Sequence, residues 1–348
     1  MQAIAGAAHH AIAARLQDAG TPLQSLTVEF VDKPGAVIHT ARFGATSQQQ
    51  QTNTQRPAPG AQRPAQAPRP TPQSESSGLP GVKFAIAVGA GKGGVGKSTI
   101  AVNLAVGLAR KGHAVGLMDG DIYGPSLPTM LALHSEEQQV HQGKLQPFFV
   151  HGIKAVTIGK LVDPEKPLIW RGPMAHGAFK QLAEQTEWGE LDYLIIDLPP
   201  GTGDVPLTMA QTLRLTGAVV VCTPQKVAQD DAVRAARMFQ QLGIDVLGVV
   251  ENMSFFIGDD KKEYDIFGRG GAEQMAQRLG LPYLGAVPIN MALRANSDTG
   301  DASANFDPDS AGGDALPRSL ERLVANLESQ VALASLSQGT KRPTLNIS

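Results

Sequence analysis

Apolar positions between residues 79 and 335 fall into two alternating textures. Short β-branched runs at Phe84–Val88, Ala114–Met118, Ala155–Ile158, Tyr193–Ile196, Ala218–Val221 and Val246–Val250 are apolar almost throughout, as strands covered on both faces must be. Longer stretches with helix-spaced apolar residues separate them. One runs from about Lys97 to Lys111 and stops at Gly112; others are Ala178–Gln185 and Val227–Leu242. This alternation predicts an α/β fold, a doubly wound and mostly parallel sheet flanked by helices. A last helical pattern covers Leu316–Ala334, and residues 336–348 form a tail without a pattern.

The front of the chain reads differently. Residues 1–45 hold a candidate helix, Ile4–Leu16, and two apolar runs, Leu26–Val31 and Ala36–Ala41, too little for an independent core. Residues 46–78 are rich in Gln and Pro and, before Leu79, carry no large apolar side chain, so burial cannot offset the entropy of ordering them. The segment reads as a disordered, partly extended linker to the domain over 79–335.

Composition narrows the classes. Hydrophobic residues make up 42% and charged residues 18%, as in a globular chain with a sizeable core, and the formal charge of −2 gives no reason to expect nucleic acid or an anionic membrane as partner. No apolar stretch approaches the roughly 20 residues of a spanning helix, and the first residues lack the form of a secretory signal. The single cysteine, Cys222, cannot form an internal disulfide. These features are those expected of a cytoplasmic protein.

Chemistry concentrates in Gly91-Lys92-Gly93-Gly94-Val95-Gly96-Lys97-Ser98, a match to the G-x-x-x-x-G-K-[ST] phosphate loop. Glycines let backbone N–H groups turn toward phosphate oxygens, Lys97 brings a cation to the β/γ-phosphates, and the Ser98 hydroxyl is placed to ligate Mg²⁺. A strand pattern before the loop and a helix pattern after it supply the required setting. Asp197 ends the apolar run beginning at Tyr193, where a carboxylate can hold the Mg²⁺ shell; a helix cap is the competing reading. Pro199-Pro200-Gly201-Thr202-Gly203-Asp204 follows, a loop suited to sensing a γ-phosphate. Asp119 and Asp121 end another strand pattern, and one of them could position the attacking water, with ordinary loop acids as the alternative.

Lys92 through Thr99 resembles the deviant Walker A box of the MinD/ParA/nitrogenase-reductase class of P-loop ATPases. Within that class the chain is similar to the Mrp/ApbC family of iron–sulfur cluster carrier ATPases. The likeness rests on residues 79–83, Asp121-Ile122-Tyr123-Gly124-Pro125-Ser126, Ile169-Trp170-Arg171-Gly172-Pro173-Met174, residues 197–204, Thr223-Pro224-Gln225, Glu251-Asn252-Met253-Ser254 and Asp265-Ile266-Phe267-Gly268. It implies a homodimer that sandwiches ATP, slow hydrolysis coupled to a conformational switch, and delivery of clusters to apoproteins alongside assembly factors. It also implies roles for residues: Gly91 through Thr99 hold the nucleotide, Lys92 reaches the partner's nucleotide, Asn252 recognises adenine, and Lys97, Asp121 and Asp197 serve hydrolysis.

Two departures qualify the resemblance. Many members carry a C-x-x-C between the Glu-Asn-Met-Ser and Asp-Ile-Phe-Gly segments, whose thiolates across a dimer would hold a bridging [4Fe-4S] cluster; residues 255–264 of this chain contain no cysteine. Asp259, Asp260 and Glu263 read as a solvated hairpin tip, Cys222 as a buried small hydrophobe, and His176 as loop structure, which leaves the cluster ligand unassigned. Residues 1–45 are also too short for the small assembly-factor-like domain with which members often begin. Among the alternatives, a MinD/ParA-like spatial organiser needs a basic membrane-seeking helix or DNA surface, and the charges on Leu316–Ala334 are balanced. A nitrogenase-type reductase needs two cysteines per chain, and the four tyrosines are too scattered for the terminal cluster of a deviant-Walker kinase.

Overall fold

In the computed structural model, the described residues are 25–31, 37–44, 78–160, 172–258 and 260–339. The chain divides into two units, residues 1–69 and 70–348. In the first, β1 (Ser25–Val31) pairs antiparallel with β2 (Val37–Gly44), so the two apolar runs there are the arms of one ladder. The predicted helix at 4–16, the linker up to residue 77 and the tail from residue 340 lie outside the described residues.

The second unit is built on an eight-stranded sheet. Its strands are β3 (Val82–Gly89), β4 (Val115–Asp119), β7 (Phe148–Val150), β8 (Ile153–Thr157), β9 (Leu191–Asp197), β10 (Gly217–Cys222), β11 (Val246–Glu251) and β14 (Tyr283–Ala286). They lie in the order β14-β11-β10-β3-β9-β4-β8-β7, all parallel except the edge pair β7–β8. Short antiparallel pairs, β5 (Val140–His141) with β6 (Lys144–Leu145) and β12 (Phe256–Ile257) with β13 (Glu263–Tyr264), decorate the connections.

Both faces of the sheet are covered, which explains the unbroken apolar runs. Ile86, Val88 and Ile195 join one apolar cluster, while Ala85, Ala87, Leu194 and Ile196 join the other, the period of two that a pleated strand imposes. Helices α1 (Lys97–Arg110) and α8 (Ala315–Gly339) close the first face through Ile100, Leu104, Leu108, Leu320, Leu323 and Leu327. Helices α3 (Gly172–Gln185), α5 (Lys226–Gln241) and α6 (Gly271–Leu279) close the second through Phe179, Leu182, Phe239 and Met275. Each large side chain buried in this way contributes about 1.5–3 kcal/mol. Helices α2 (Leu127–Met130), α4 (Asp204–Thr212) and α7 (Met291–Thr299) lie in the connections. The predicted doubly wound α/β architecture is therefore the observed one, and α8 continues through Gly339, beyond the sequence pattern. No helix among the described residues is long and apolar enough to cross a membrane.

Because β3, β4, β9, β10 and β11 are parallel, the loops after their C-terminal ends share one edge of the sheet. Residues 90–96, 120–126, 198–203, 223–225 and 252–255 all fall there, at the edge where open α/β sheets bind ligands.

Candidate functional site

The phosphate loop begins where β3 ends and turns into α1 through Gly94 (φ 81°) and Gly96 (φ 82°). A side chain at Gly96 would be strained and would also run into the Asn252 amide. That amide donates from Nδ2 to the Val95 carbonyl at 2.9 Å, so the residue after β11 braces the loop from behind. The loop after β9 braces it from the side, with Leu198 N donating to Val88 O (3.0 Å) and Gly201 N to Ala90 O (2.9 Å).

Lys97 opens α1 and is only 6% exposed. Its Nζ donates to Asp197 Oδ1 at 2.5 Å and to Ser98 Oγ at 3.3 Å, and lies 3.5 Å from Asp121 Oδ2. Lys97, Ser98, Asp121 and Asp197, all nominated from sequence, therefore converge on one ammonium. Lys92, half-buried at the loop, makes no hydrogen bond or ion pair among the described residues. Thr99 lies in the first turn of α1, where its carbonyl accepts a bond from the Asn103 side chain.

The carboxylates are crowded. Asp119 and Asp197 pair across β4 and β9, and Gly120 N donates to Asp197 O at 2.8 Å, bringing the strand tips together. Burial, and then the adjacent Asp197 carboxylate, push the Asp119 carboxyl up to about 7. Its oxygens accept from Thr157 Oγ1 (2.9 Å), Asp121 N (3.1 Å) and Leu127 N (3.4 Å), so Asp119 shapes the loop that presents Asp121. Burial also raises Asp197, opposed chiefly by Lys97.

Asp197 Oδ2 is buried without a hydrogen bond among the described residues. An orphaned carboxylate oxygen is costly, and a hard divalent cation with oxygen ligands satisfies it. Ser98 lies close enough to Asp197 to favour its charged form, so the pair fits Mg²⁺. Such an ion would screen the repulsion between Asp119 and Asp197 and draw phosphate oxygens to the loop.

Three further contributors escaped the sequence reading of roles. Glu251, wholly buried, accepts at Oε1 from Ser254 Oγ (2.6 Å) and Gly270 N (2.8 Å) and at Oε2 from Ala272 N (2.7 Å), pinning both ends of the segment that begins with Asn252. Thr157 and Asn103 are the others. Each closes or interrupts an apolar run with a buried polar residue, the signal that could have drawn attention to them.

Cys222 lies in the centre of the second apolar cluster at 1% exposure, where burial and then Glu251 push its thiol up to about 12. At the hairpin tip, Asp260 accepts from Lys262 N (3.1 Å) and the Tyr264 hydroxyl (2.8 Å), and Glu263 is paired with Arg269, which also lies over the Phe255 ring. His176, expected in a loop, lies instead within helix α3, where its Nδ1 contacts Thr212 Oγ1 at 3.2 Å and links α3 to α4. Asp259 and residues 169–171 fall outside the described residues.

A glycine-rich turn from strand to helix, a lysine at the helix start and an acid at the tip of the neighbouring parallel strand define a P-loop nucleotide-binding protein. Comparison with known proteins makes this more specific. The family described as NUBPL iron-transfer P-loop NTPase, of the ParA type, matches residues 81–324, and the chain belongs to it. It is 50% identical over 282 residues to the iron–sulfur cluster carrier protein of Synechocystis sp., covering 79% of this chain and 78% of that one. It is 46% identical over 242 residues to the iron–sulfur cluster transfer protein NUBPL of Dictyostelium discoideum, covering 69% and 75%. Among solved structures, a nucleotide-binding protein in complex with ADP from Archaeoglobus fulgidus is 38% identical with a TM-score of 0.59, covering 66% of this chain and 90% of that chain. The cell division ATPase MinD of Pyrococcus furiosus, 21% identical with a TM-score of 0.53 over 71% of this chain and 99% of that one, shows the fold alone. The resemblance to the iron–sulfur cluster carrier ATPases is thus confirmed.

Proposed function

We propose that the chain binds and slowly hydrolyses ATP with Mg²⁺ as a dimer, and that it serves iron–sulfur cluster assembly in the cytoplasm, with apoproteins and assembly factors as partners. The observation that carries the reading is the convergence of Lys97, Ser98, Asp121 and Asp197 at the mouth of the phosphate loop. Loop amides from Gly91 to Gly96 cradle the phosphates, and Lys97 exchanges its carboxylate partners for β/γ-phosphate oxygens. Ser98 and Asp197 would hold Mg²⁺, and the ion would supply neutralisation of the phosphate charge. Asp121, released from Lys97, orients that water for attack on the γ-phosphorus, and ADP leaves with its bond to that phosphorus broken.

Asn252 stands behind the loop, where it recognises adenine while keeping its bond to Val95. Dimerisation is supported by the exposed apolar side chains of Tyr123, Met174, Ile266 and Phe267, which a second copy would cover. The Lys92 ammonium, without a partner among the described residues, then reaches the partner's nucleotide.

The cluster enters as cargo. Iron–sulfur clusters are held by thiolates, and the one cysteine of the chain is a buried thiol whose proton is held more tightly than usual. The carboxylates of Asp260 and Glu263 are already engaged, and no group of three metal-binding side chains occurs among the described residues. The residues of this chain do not fit a [4Fe-4S] cluster, so the thiolates that hold the cargo belong to the proteins it works with.

The test is a nucleotide titration of Lys97→Ala beside the unaltered chain, with folding checked by circular dichroism. Binding of Mg²⁺–ATP is expected to weaken by at least about a hundredfold, as removal of a charge-assisted phosphate contact requires. Equal affinity in a folded variant would contradict the site.

A further inference from the structure

Three asparagine side chains form a directed chain of hydrogen bonds ending on the first turn of α1. Asn296 Nδ2, on α7, donates to Asn305 Oδ1 at 3.0 Å. Asn305 Nδ2 donates to Asn103 Oδ1 at 3.0 Å across 202 residues of sequence, and Asn103 Nδ2 donates to the Thr99 carbonyl at 2.8 Å. Asn103 and Asn305 are 2% and 1% exposed. They sit beside an apolar cluster that includes Leu104, Leu293 and Phe306, and the Phe306 ring packs along α1 close to Gly107 and beneath Arg110.

Cohesion alone does not call for this arrangement. An amide left unpaired in such surroundings costs about 1–3 kcal/mol, whereas an apolar pair of similar shape would be nearly neutral. What the amides supply is direction. The Thr99 carbonyl follows Ser98 immediately in the chain, and the Asn103 amide fixes it beyond what the helical ladder does. The turn that carries Lys97 and Ser98 is thereby tied to the segment over residues 296–305. The loop before the turn is braced independently, by Asn252 on Val95.

We propose that Asn103 and Asn305 are positioning residues for the magnesium half of the nucleotide site, acting through the Thr99 carbonyl to hold the Ser98 hydroxyl where it meets the ion. The inference rests on the reading of Ser98 and Asp197 as the Mg²⁺ pair. It divides the site into two separately supported parts: loop amides held by Asn252, and a metal-facing helix turn held by the asparagine chain.

The test is calorimetric binding of ADP, with Mg²⁺ and with a chelator, to the full chain and to Asn103→Leu/Asn305→Leu, which replaces the two buried amides by apolar groups of similar size and leaves the half-exposed Asn296 amide to water. The factor by which Mg²⁺ tightens ADP binding is expected to fall about tenfold, with magnesium-free affinity within about twofold of the original, since small misplacements of a positioned group cost this much or more. If the double variant does not fold, Asn305→Asp, which keeps the volume and an acceptor for Asn296 but loses the donor to Asn103, is read the same way. A merely structural pair would lower Tm and leave the magnesium factor intact; that result, or equal weakening with and without Mg²⁺, overturns the proposal. An unaltered chain that binds no ADP would instead refute the nucleotide site itself. An unaltered chain with a magnesium factor that the variants retain refutes only the relay.

Discussion

Lys97 shows how one residue can hold a site together before its ligand arrives. A buried ammonium between two carboxylates is tolerable only because both compensate it, and the same carboxylates are tolerable only because of the ammonium. The arrangement leaves one Asp197 oxygen without a partner among the described residues, the atom that a magnesium ion would complete. Cys222 illustrates the opposite case. It has the right element for binding iron and the wrong surroundings: burial disfavours its thiolate, and Glu251 adds to that. Buried at 1% exposure and with its thiol pushed up, Cys222 offers little thiolate and little access to a reagent at pH 8. Alkylation of the native chain by iodoacetamide at pH 8 is therefore expected to be at least a hundredfold slower than in denaturant, followed by mass spectrometry. Rapid labelling of the folded protein would mean that the strand opens or that the thiol is activated.

At the scale of elements, the site is a set of strand tips whose loops lean on one another. Gly96 is a position with little slack, because a positive φ and the Asn252 amide both exclude a side chain. A left-handed backbone costs a non-glycine residue about 1–2 kcal/mol, and displacing Asn252 would remove the bond that braces the loop. Gly96→Ala is therefore expected to weaken nucleotide binding at least about tenfold while far-ultraviolet circular dichroism stays unchanged. Full affinity in that variant would show that the loop tolerates a different path.

The elements also show what a sequence can reveal. Six strands were legible because each is covered on both faces and so reads as an apolar run. Strand β7 was not, since it is an antiparallel edge strand with Phe149 exposed, and β14 is four residues long with a glycine at φ 142°. The strands of the β5–β6 and β12–β13 pairs have two residues each, too few to show a period. The phosphate loop was legible because its chemistry is local. The partnerships of Thr157 with Asp119 and of Asn305 with Asn103 span 38 and 202 residues, and no local pattern announces them.

At the scale of the whole molecule, the parallel sheet gathers the ends of five strands at one edge, and with them the phosphate loop and the residues proposed to hold magnesium and to orient water. The loop after β9 is hydrogen-bonded to the residue that opens the phosphate loop, through Gly201 and Ala90, and the transfer role follows from the family rather than from any cluster-binding group of this chain. Hydrolysis of ATP at this edge is tested by phosphate release from Mg²⁺–ATP by the unaltered chain beside Asp121→Asn, with ATP binding measured in parallel. The expected result is slow turnover by the unaltered chain, and a variant that binds ATP within about threefold but hydrolyses it at least about tenfold more slowly. Equal turnover by the two proteins, or no turnover by the unaltered chain at any protein concentration, would contradict it.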